Sequence, residues 1–254
     1  MGIIKQLQGL AKKNRVKVGI GVGEEPKAKK IIERSIKSAS SLDYADAVSY
    51  NMGPELISAL KTGEISAAVR GNLPAKETLN ELKMTFKVVS IYRSALICID
   101  EKHCFFLAPV GIDEGIFIDE RLQFIKFIDS RLKKLNIDPK ISIISGGRLE
   151  DFGRSGLIDE SLQAGKKLFY MAKDEGFNVS HNGILIEEAY KDSNVIIAPN
   201  GIVGNLLFRT LNFLGNARSF GAPVLNLDDV FIDTSRSKDD YMDSIMMASA
   251  LSRN

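Results

Sequence analysis

Alternating strand-like and helix-like segments constrain the fold of this chain more than any other feature. β-rich runs at residues 15–22, 46–50 and 65–70 alternate with helical patterns at 27–37 and 53–60. Parallel strands need a crossover connection of this kind, so the order predicts an α/β fold with a mainly parallel sheet covered by helices. Ligands of such sheets bind beyond the carboxyl ends of the strands.

The pattern changes between residues 86 and 109. Two strand-like runs, 87–99 and 104–108, follow each other with only a short turn between them. This spacing predicts a hairpin and a crossing of the chain between two domains.

Composition excludes several classes of function. The chain is 44% hydrophobic and 26% charged with a net charge of +2, which does not indicate nucleic-acid binding. No apolar run reaches the ~18 residues of a membrane helix, and the amino-terminal segment is too polar for a signal peptide. Cys98 and Cys104 match no zinc spacing and predict reduced core thiols in a cytoplasmic protein. His103 and His181 are the only histidines, so we expect no metal site.

Residues 194–236 contain the clearest candidate for a ligand site. A strand-like apolar run is broken at residues 199–201, and Gly204-Asn205 then opens a segment with helical spacing of leucines. A helix that begins after a glycine-bearing turn directs backbone N–H groups at an anion. Ser235 and Arg236 add a hydroxyl and a guanidinium, so the stretch predicts a phosphate or acyl-carrier site.

Further polar candidates follow or interrupt other predicted strands. Arg70 and Asn72 lie where the strand at 65–70 ends, and Arg93 with Ser94 interrupts an apolar run. An arginine at a strand end is either a ligand or an ordinary surface charge. A buried arginine needs an anionic partner, so Arg93 predicts either a bound ligand or an internal carboxylate.

The glycine-rich loop at residues 145–156 is a second candidate for anion binding. It follows a strand-like run, precedes a helical one and carries Ser145, Gly146, Arg148 and Arg154. Backbone N–H groups and guanidinium groups in this position would bind an anion, and a flexible solvated loop is the alternative.

Several of these segments resemble known families. NVIIAPNGIVGN at residues 194–205 is similar to the strand–turn–helix of the phosphate acetyl/butyryl transferases, and DTSR at 233–236 resembles their closing motif. RGN at 70–72 and SGGRLEDFGRSG at 145–156 resemble MtxX, a phosphotransacetylase-like family of methanogenic archaea that is also described as a methyltransferase.

The resemblance implies an isocitrate/isopropylmalate dehydrogenase-like fold with two α/β domains around a cleft. One domain would comprise residues 1–92 and 237–254, the other residues 93–236, and the active cleft would lie between them. Dimers are common on this fold, so the resemblance also implies a homodimer, and the family description implies a methyltransferase partner.

The implied chemistry is transfer of an acyl group between phosphate and coenzyme A or a related thiol, with no metal and no permanently bound cofactor. Ser235 would stabilise the carbonyl oxygen, Arg236 would hold phosphate, and Asp243 would act as the base. The candidate residues for binding substrate and phosphate are Arg70, Asn72, Arg93, Ser94, Ser145, Gly146, Arg148, Arg154, Asn200, Gly204 and Asn205.

Departures from the transferase pattern keep an alternative open. Asn200 replaces the aspartate after the proline, Ile202 replaces an asparagine, and Asp243 lies one residue further from the serine–arginine pair. The alternative is a non-catalytic or regulatory protein that works with the methyl-transfer proteins of methanogenesis. A true methyltransferase lacks support, because we find no S-adenosylmethionine loop. A metal- and NAD-dependent dehydrogenase would need a lysine–tyrosine pair and a nucleotide loop that we cannot place.

Overall fold

The computed structural model describes residues 2–252, which divide into two units. Unit 1 runs to Ile91 and resumes at Phe220, and unit 2 comprises Tyr92–Ser219. Residues 220–236 therefore lie in unit 1, whereas the sequence analysis assigned them to the other domain. No helix in the described part of the chain is both long and apolar enough to cross a membrane.

Helices and strands alternate along most of the chain. The helices are α1 (Ile3–Asn14), α2 (Pro26–Ser41), α3 (Gly53–Thr62), α4 (Ala75–Phe86), α5 (Ile118–Lys134), α6 (Gly156–Asp174), α7 (Ile186–Asp192), α8 (Gly201–Arg209) and α9 (Met242–Leu251). The strands are β1 (Lys17–Gly21), β2 (Asp46–Tyr50), β3 (Ala67–Val69), β4 (Ala95–Cys98), β5 (Cys104–Ala108), β6 (Ile141–Ile144), β7 (Val179–Gly183), β8 (Val195–Ile197), β9 (Arg218–Pro223) and β10 (Val230–Asp233).

The strands of unit 1 follow the order β2-β1-β3-β10-β9. The first four are parallel neighbours, and only β9 pairs antiparallel, with β10. This confirms the predicted α/β class with a mainly parallel sheet. Strand β10 was not predicted from the sequence. Its pairing with β3, Val230 opposite Ala67, is the reason that residues 220–236 belong to unit 1.

Helix α9 occupies the interior of unit 1. Every residue from Ser244 to Ala250 is buried, and the helix packs against α1, β1, β3 and β10. Met246 and Met247 are fully buried and fill part of the core.

The strands of unit 2 follow the order β4-β5-β8-β6-β7. β4 and β5 form the predicted antiparallel hairpin, and the remaining neighbours are parallel. His181 and Gly183, at the end of strand β7, pair with β6. Helix α8 begins at Gly201 and not at Asn205 as predicted.

The expectation of reduced thiols is wrong in this structure. Cys98 and Cys104 form a disulfide across the β4–β5 hairpin. The antiparallel register places the two residues directly opposite each other, with their Cα atoms 4.0 Å apart. The cytoplasmic location that was inferred from these cysteines stays a prediction.

A buried arginine joins the ends of two neighbouring strands in unit 1. Arg70 follows β3 and is 4% exposed. Its Nε donates to the carboxylate of Asp233 at the end of β10, and its terminal nitrogens donate to the carbonyls of Leu73 and Thr234. The hydroxyl of Thr234 in turn donates to the carbonyl of Gly71 at 2.7 Å. These contacts hold the loop after β3 against the loop after β10.

We expect Arg70→Met to lower the free energy of unfolding by about 3–5 kcal/mol, because it removes the positive charge beside the largely buried carboxylate of Asp233. Urea denaturation followed by circular dichroism measures the change. Arg15→Met is the matched control. Arg15 pairs with Asp43 but is half exposed, so its loss should cost less than about 1 kcal/mol. Equal losses in the two variants would contradict the structural role of Arg70.

Candidate functional site

A pocket of about 640 Å³ lies in unit 1 at the carboxyl ends of the parallel strands. Its walls are the loops after β1, β2 and β3 together with one face of α4 and a residue beyond β10. The lining residues are 23–25, 51–54, 72–74, Glu77, Thr78, Glu81 and Arg236. This is the position at which the sequence analysis expected ligands of a parallel sheet to bind.

Three helices begin at this pocket. α2, α3 and α4 start just after Glu25, Met52 and Pro74, and none of these three N-cap residues makes a side-chain capping hydrogen bond. An uncapped helix start presents unpaired backbone N–H groups and the positive end of the helix dipole. The carboxyl ends of the strands therefore offer a favourable environment for an anionic group.

Arg236 adds a full positive charge to the pocket. Its side chain is exposed, lines the pocket and makes no hydrogen bond or ion pair with any residue between 2 and 252. Asn72 lines the same pocket and is 8% exposed. Its Oδ1 accepts a hydrogen bond of 2.7 Å from the backbone N–H of Gly23, which joins the loops after β1 and β3. Arg236 and Asn72 are the predicted residues that the structure brings together here.

The loop between β10 and α9 holds Ser235 beside Arg236. Ser235 Oγ accepts a hydrogen bond of 3.2 Å from the N–H of Ser237, so its own proton is available for a substrate oxygen. The hydroxyl of Tyr241 donates to the carbonyl of Ser235 at 3.1 Å. Burial raises the pKa of Tyr241 to about 12, which keeps this donor protonated. Asp243 lies in the first turn of α9. Neither Ser235 nor Asp243 belongs to the lining of the pocket.

Arg93 and Ser94 have internal partners in unit 2. The guanidinium of Arg93 pairs with the carboxylate of Glu114, which is 7% exposed. Burial raises the pKa of Glu114, although Arg93 favours its charged form. The hydroxyl of Ser94 is fully buried and donates to the carbonyl of Leu107 at 3.3 Å. Of the two alternatives left open for Arg93, the structure shows the internal carboxylate.

The start of α8, which the sequence analysis interpreted as an anion site, is largely occupied by protein groups. Asn200 is the N-cap residue, and its Oδ1 accepts a hydrogen bond of 3.0 Å from the N–H of Val203. The N–H of Gly201 donates to the carbonyl of Glu114 at 2.8 Å. Two of the N–H groups at this helix start are therefore already paired.

Gly204 and Asn205 hold α8 against the segment that follows β5. A Cβ atom on Gly204 would lie 1.9 Å from the carbonyl oxygen of Pro109, so only glycine permits this approach. Asn205 Nδ2 donates to the carbonyl of Val110 at 2.8 Å. The glycine and the asparagine that identify the motif in the sequence have a packing role in the structure.

The loop after β6 is likewise bonded internally. The N–H of Gly146 donates to the hydroxyl of Ser161 at 2.8 Å. Arg154 pairs with Asp151 at 2.7 Å, and this ion pair raises the pKa of Arg154 and lowers that of Asp151. The N–H of Arg148 also donates to Asp151 at 2.9 Å. This loop is thus organised around one carboxylate.

Ser145 contacts a histidine that sequence reasoning left out of the site. Ser145 is 4% exposed, and its Oγ lies 2.9 Å from His181 Nε2, within hydrogen-bond distance. Burial lowers the pKa of His181, so the ring favours its neutral form. The pairing of β6 with β7 creates this contact, and no spacing in the sequence indicates it.

Among residues 2–252, no group of three or more His, Cys, Asp or Glu side chains is arranged to hold a metal ion. Among the described residues, the lining of the unit 1 pocket offers hydrogen-bond donors, one guanidinium and four carboxylates.

Sequence comparison identifies relatives in methanogens. A Methanosarcina mazei protein described as "Putative methyltransferase mtx subunit X" is 38% identical over 269 residues, covering 98% of this chain and 95% of the relative. An uncharacterized methyltransferase of Methanocaldococcus jannaschii is 37% identical over 190 residues, covering 72% of this chain and 77% of the relative. No family model matches the chain.

Structural comparison identifies a second group of proteins. A branched-chain phosphotransacylase from Enterococcus faecalis has a TM-score of 0.71 at 16% identity, with 93% of this chain and 98% of that one covered. The EutD phosphotransacetylase from Staphylococcus aureus has a TM-score of 0.67 at 14% identity, with 97% and 98% covered. A 4-hydroxythreonine-4-phosphate dehydrogenase from Klebsiella pneumoniae has a TM-score of 0.60 at 10% identity, with 94% and 99% covered. These likenesses confirm the phosphotransacetylase-like fold.

We expect Gly204→Ala to lower the free energy of unfolding by about 1–3 kcal/mol, because the added methyl group overlaps the carbonyl of Pro109. Chemical denaturation measures the loss. Gly9→Ala is the control, since nothing lies within 4 Å of the new Cβ in α1 and the helix should gain about 0.5–1 kcal/mol. A neutral Gly204→Ala would contradict the close packing of α8.

We expect the free energy of unfolding to fall more steeply from pH 7 to pH 5 in the native protein than in His181→Gln. The folded-state pKa of His181 lies below that of the unfolded chain, so the unfolded state binds the extra proton and gains stability as pH falls through about 6.5. Urea denaturation at the two pH values measures the difference. Identical pH dependence in both proteins would show that the burial of His181 does not affect its titration.

Proposed function

We propose a function for this chain on the premise that it belongs to the MtxX family, the methanogen proteins named methyltransferase mtx subunit X. We propose that it is a transferase that moves an acyl group between phosphate and coenzyme A or a related thiol. The fold of the phosphotransacetylases supports this proposal, although a fold alone does not determine an activity.

One observation carries the proposal. Arg236 lines the unit 1 pocket, at the start of three uncapped helices, and has no partner among the described residues. By contrast, the guanidinium groups of Arg70, Arg93 and Arg154 are each paired with a carboxylate. An unpaired guanidinium beside free backbone N–H groups is suited to a phosphate.

The proposed reaction needs a donor, a cation and a base. The thiol sulfur attacks the carbonyl carbon of the acyl phosphate and passes its proton to Asp243. The hydroxyl of Ser235 donates to the carbonyl oxygen as negative charge develops there. The C–O bond to phosphate then breaks, and the phosphate leaves with the electron pair and is held by Arg236. In the reverse direction phosphate attacks the thioester carbonyl, and the thiolate takes the proton back.

A specific observation favours a second candidate function, a non-catalytic subunit that works with a methyltransferase partner. The relatives are named as a methyltransferase subunit. Asn200, where the transferases have an aspartate, uses its side chain to cap α8. Under this proposal the unit 1 pocket retains its ligand, and the protein lacks the carboxylate that the transferases have at the position of Asn200.

We expect Arg236→Ala to lower the rate of acyl exchange at least about 100-fold, because the leaving phosphate loses its charge partner. Exchange between coenzyme A and acetyl, propionyl or butyryl phosphate is followed by thioester absorbance. Arg236→Lys should retain part of the activity, since it keeps the charge but not the two-pronged geometry.

Arg15→Ala is the control, because Arg15 pairs with Asp43 at the end of α1, away from the pocket. An unchanged rate in Arg236→Ala would remove the proposed role of Arg236. Native protein that neither exchanges any of the three acyl groups nor binds coenzyme A in calorimetry would favour the non-catalytic subunit.

A further inference from the structure

The unit 1 pocket contains more negative than positive side chains. Among the described residues, its lining contains four glutamates, Glu24, Glu25, Glu77 and Glu81, and one cation, Arg236. Three of the glutamates are exposed and Glu81 is half buried. A purely anionic ligand of several charges would be repelled by this arrangement.

The glutamates come from two elements that face the same cavity. Glu77 and Glu81 are four residues apart, which places them on one face of α4. Glu24 and Glu25 lie in the loop between β1 and α2. The pocket therefore presents two pairs of carboxylates to whatever occupies it.

The anion-binding groups of the pocket lie beside these carboxylates. The Oδ1 of Asn72 accepts a hydrogen bond from the N–H of Gly23. The Nδ2 of Asn72 has no hydrogen-bond partner in the described part of the chain. Asn72 is more than nine-tenths buried and lines the pocket, so its Nδ2 can donate to an acceptor on a ligand there. Arg236 and the starts of α2, α3 and α4 provide the positive charge for the same acceptor.

The carboxylates are better suited to an organic cation than to a metal ion. A metal site needs several ligands converging on one point, and no three acidic, histidine or cysteine side chains in residues 2–252 are so arranged. An ammonium group makes separate hydrogen bonds to dispersed carboxylates and needs no such convergence. A cavity of about 640 Å³ has room for a small organic molecule with two charged ends.

We propose that this pocket binds a substrate that carries an anionic group and an organic cation in the same molecule. The phosphate or carboxylate lies at Arg236 and Asn72, and an ammonium group lies among the four glutamates. The assignment of the anionic end rests on the proposed function, in which Arg236 holds phosphate. The acyl phosphate of that reaction would then be one whose acyl chain carries an amino group.

Calorimetry with matched probes tests this inference. O-phosphoethanolamine and ethyl phosphate have the same phosphate ester and nearly the same size, and only the former carries an ammonium group. We expect the native protein to bind phosphoethanolamine at least about fivefold more tightly. The double variant Glu77→Gln/Glu81→Gln should lower the ratio of the two affinities, phosphoethanolamine over ethyl phosphate, towards one. It should not weaken the binding of ethyl phosphate. Glu33→Gln, which removes an exposed carboxylate of α2 outside the pocket, should leave the ratio unchanged.

Three results would overturn the inference. They are equal binding of the two probes, tighter binding of ethyl phosphate, and no binding of either probe at about 10 mM. Arg236→Ala should weaken the binding of both probes to the same extent, because it removes the partner of the phosphate group that both probes carry. A protein that prefers phosphoethanolamine but does not exchange acyl groups would contradict the proposed function alone. A protein that exchanges acyl groups without this preference would contradict the inference alone.

Discussion

The buried ion pair between Arg70 and Asp233 is the interaction on which the geometry of unit 1 depends. It joins the ends of β3 and β10, and the hydrogen bonds of the same guanidinium to two carbonyls hold the loops that follow these strands. Arg236 lies three residues beyond Asp233, so its position at the pocket follows from this junction. An exposed ion pair could not hold a loop in this way, because water competes for each of its partners.

Two arginines of unit 1 have different roles, because one holds the fold together and the other is positioned to bind a ligand. Each of the three nitrogens of Arg70 donates to a protein oxygen, and its side chain is 5% exposed, so this guanidinium supports the fold. Arg236 keeps its guanidinium in the pocket, where the starts of α2, α3 and α4 add partial positive charge. The glutamates of the same pocket oppose a second anion. A ligand with charges of opposite sign at its two ends would match these side chains better than a simple phosphate would.

The fold could be predicted from the sequence to a large extent, and the site only in part. The βαβ alternation at residues 15–70 could be predicted because it depends on local hydrophobic periodicity, which is visible in the sequence. The parallel pairing of β1 with β2 and β3 confirms this alternation. Strand β10 was missed because it is only four residues long and its pairing with β3 and β9 is not visible in the linear sequence. The disulfide was missed for the same reason, since the spacing of Cys98 and Cys104 gains meaning only once the hairpin register is known.

The sequence by itself determined the fold class, the family resemblance and Arg236 and Asn72 as candidates, because periodicity and motif order are properties of the linear chain. Only the tertiary structure decided which polar residues are free to bind. Arg70 pairs with Asp233, which is 163 residues away, and Arg93 pairs with Glu114, which is 21 residues away. No local pattern in the sequence predicts either pairing. Burial and pairing are properties of neighbours in space. The tertiary structure therefore assigns Gly204 and Asn205, the residues that best identify the motif, to packing and leaves Arg236 available for a ligand.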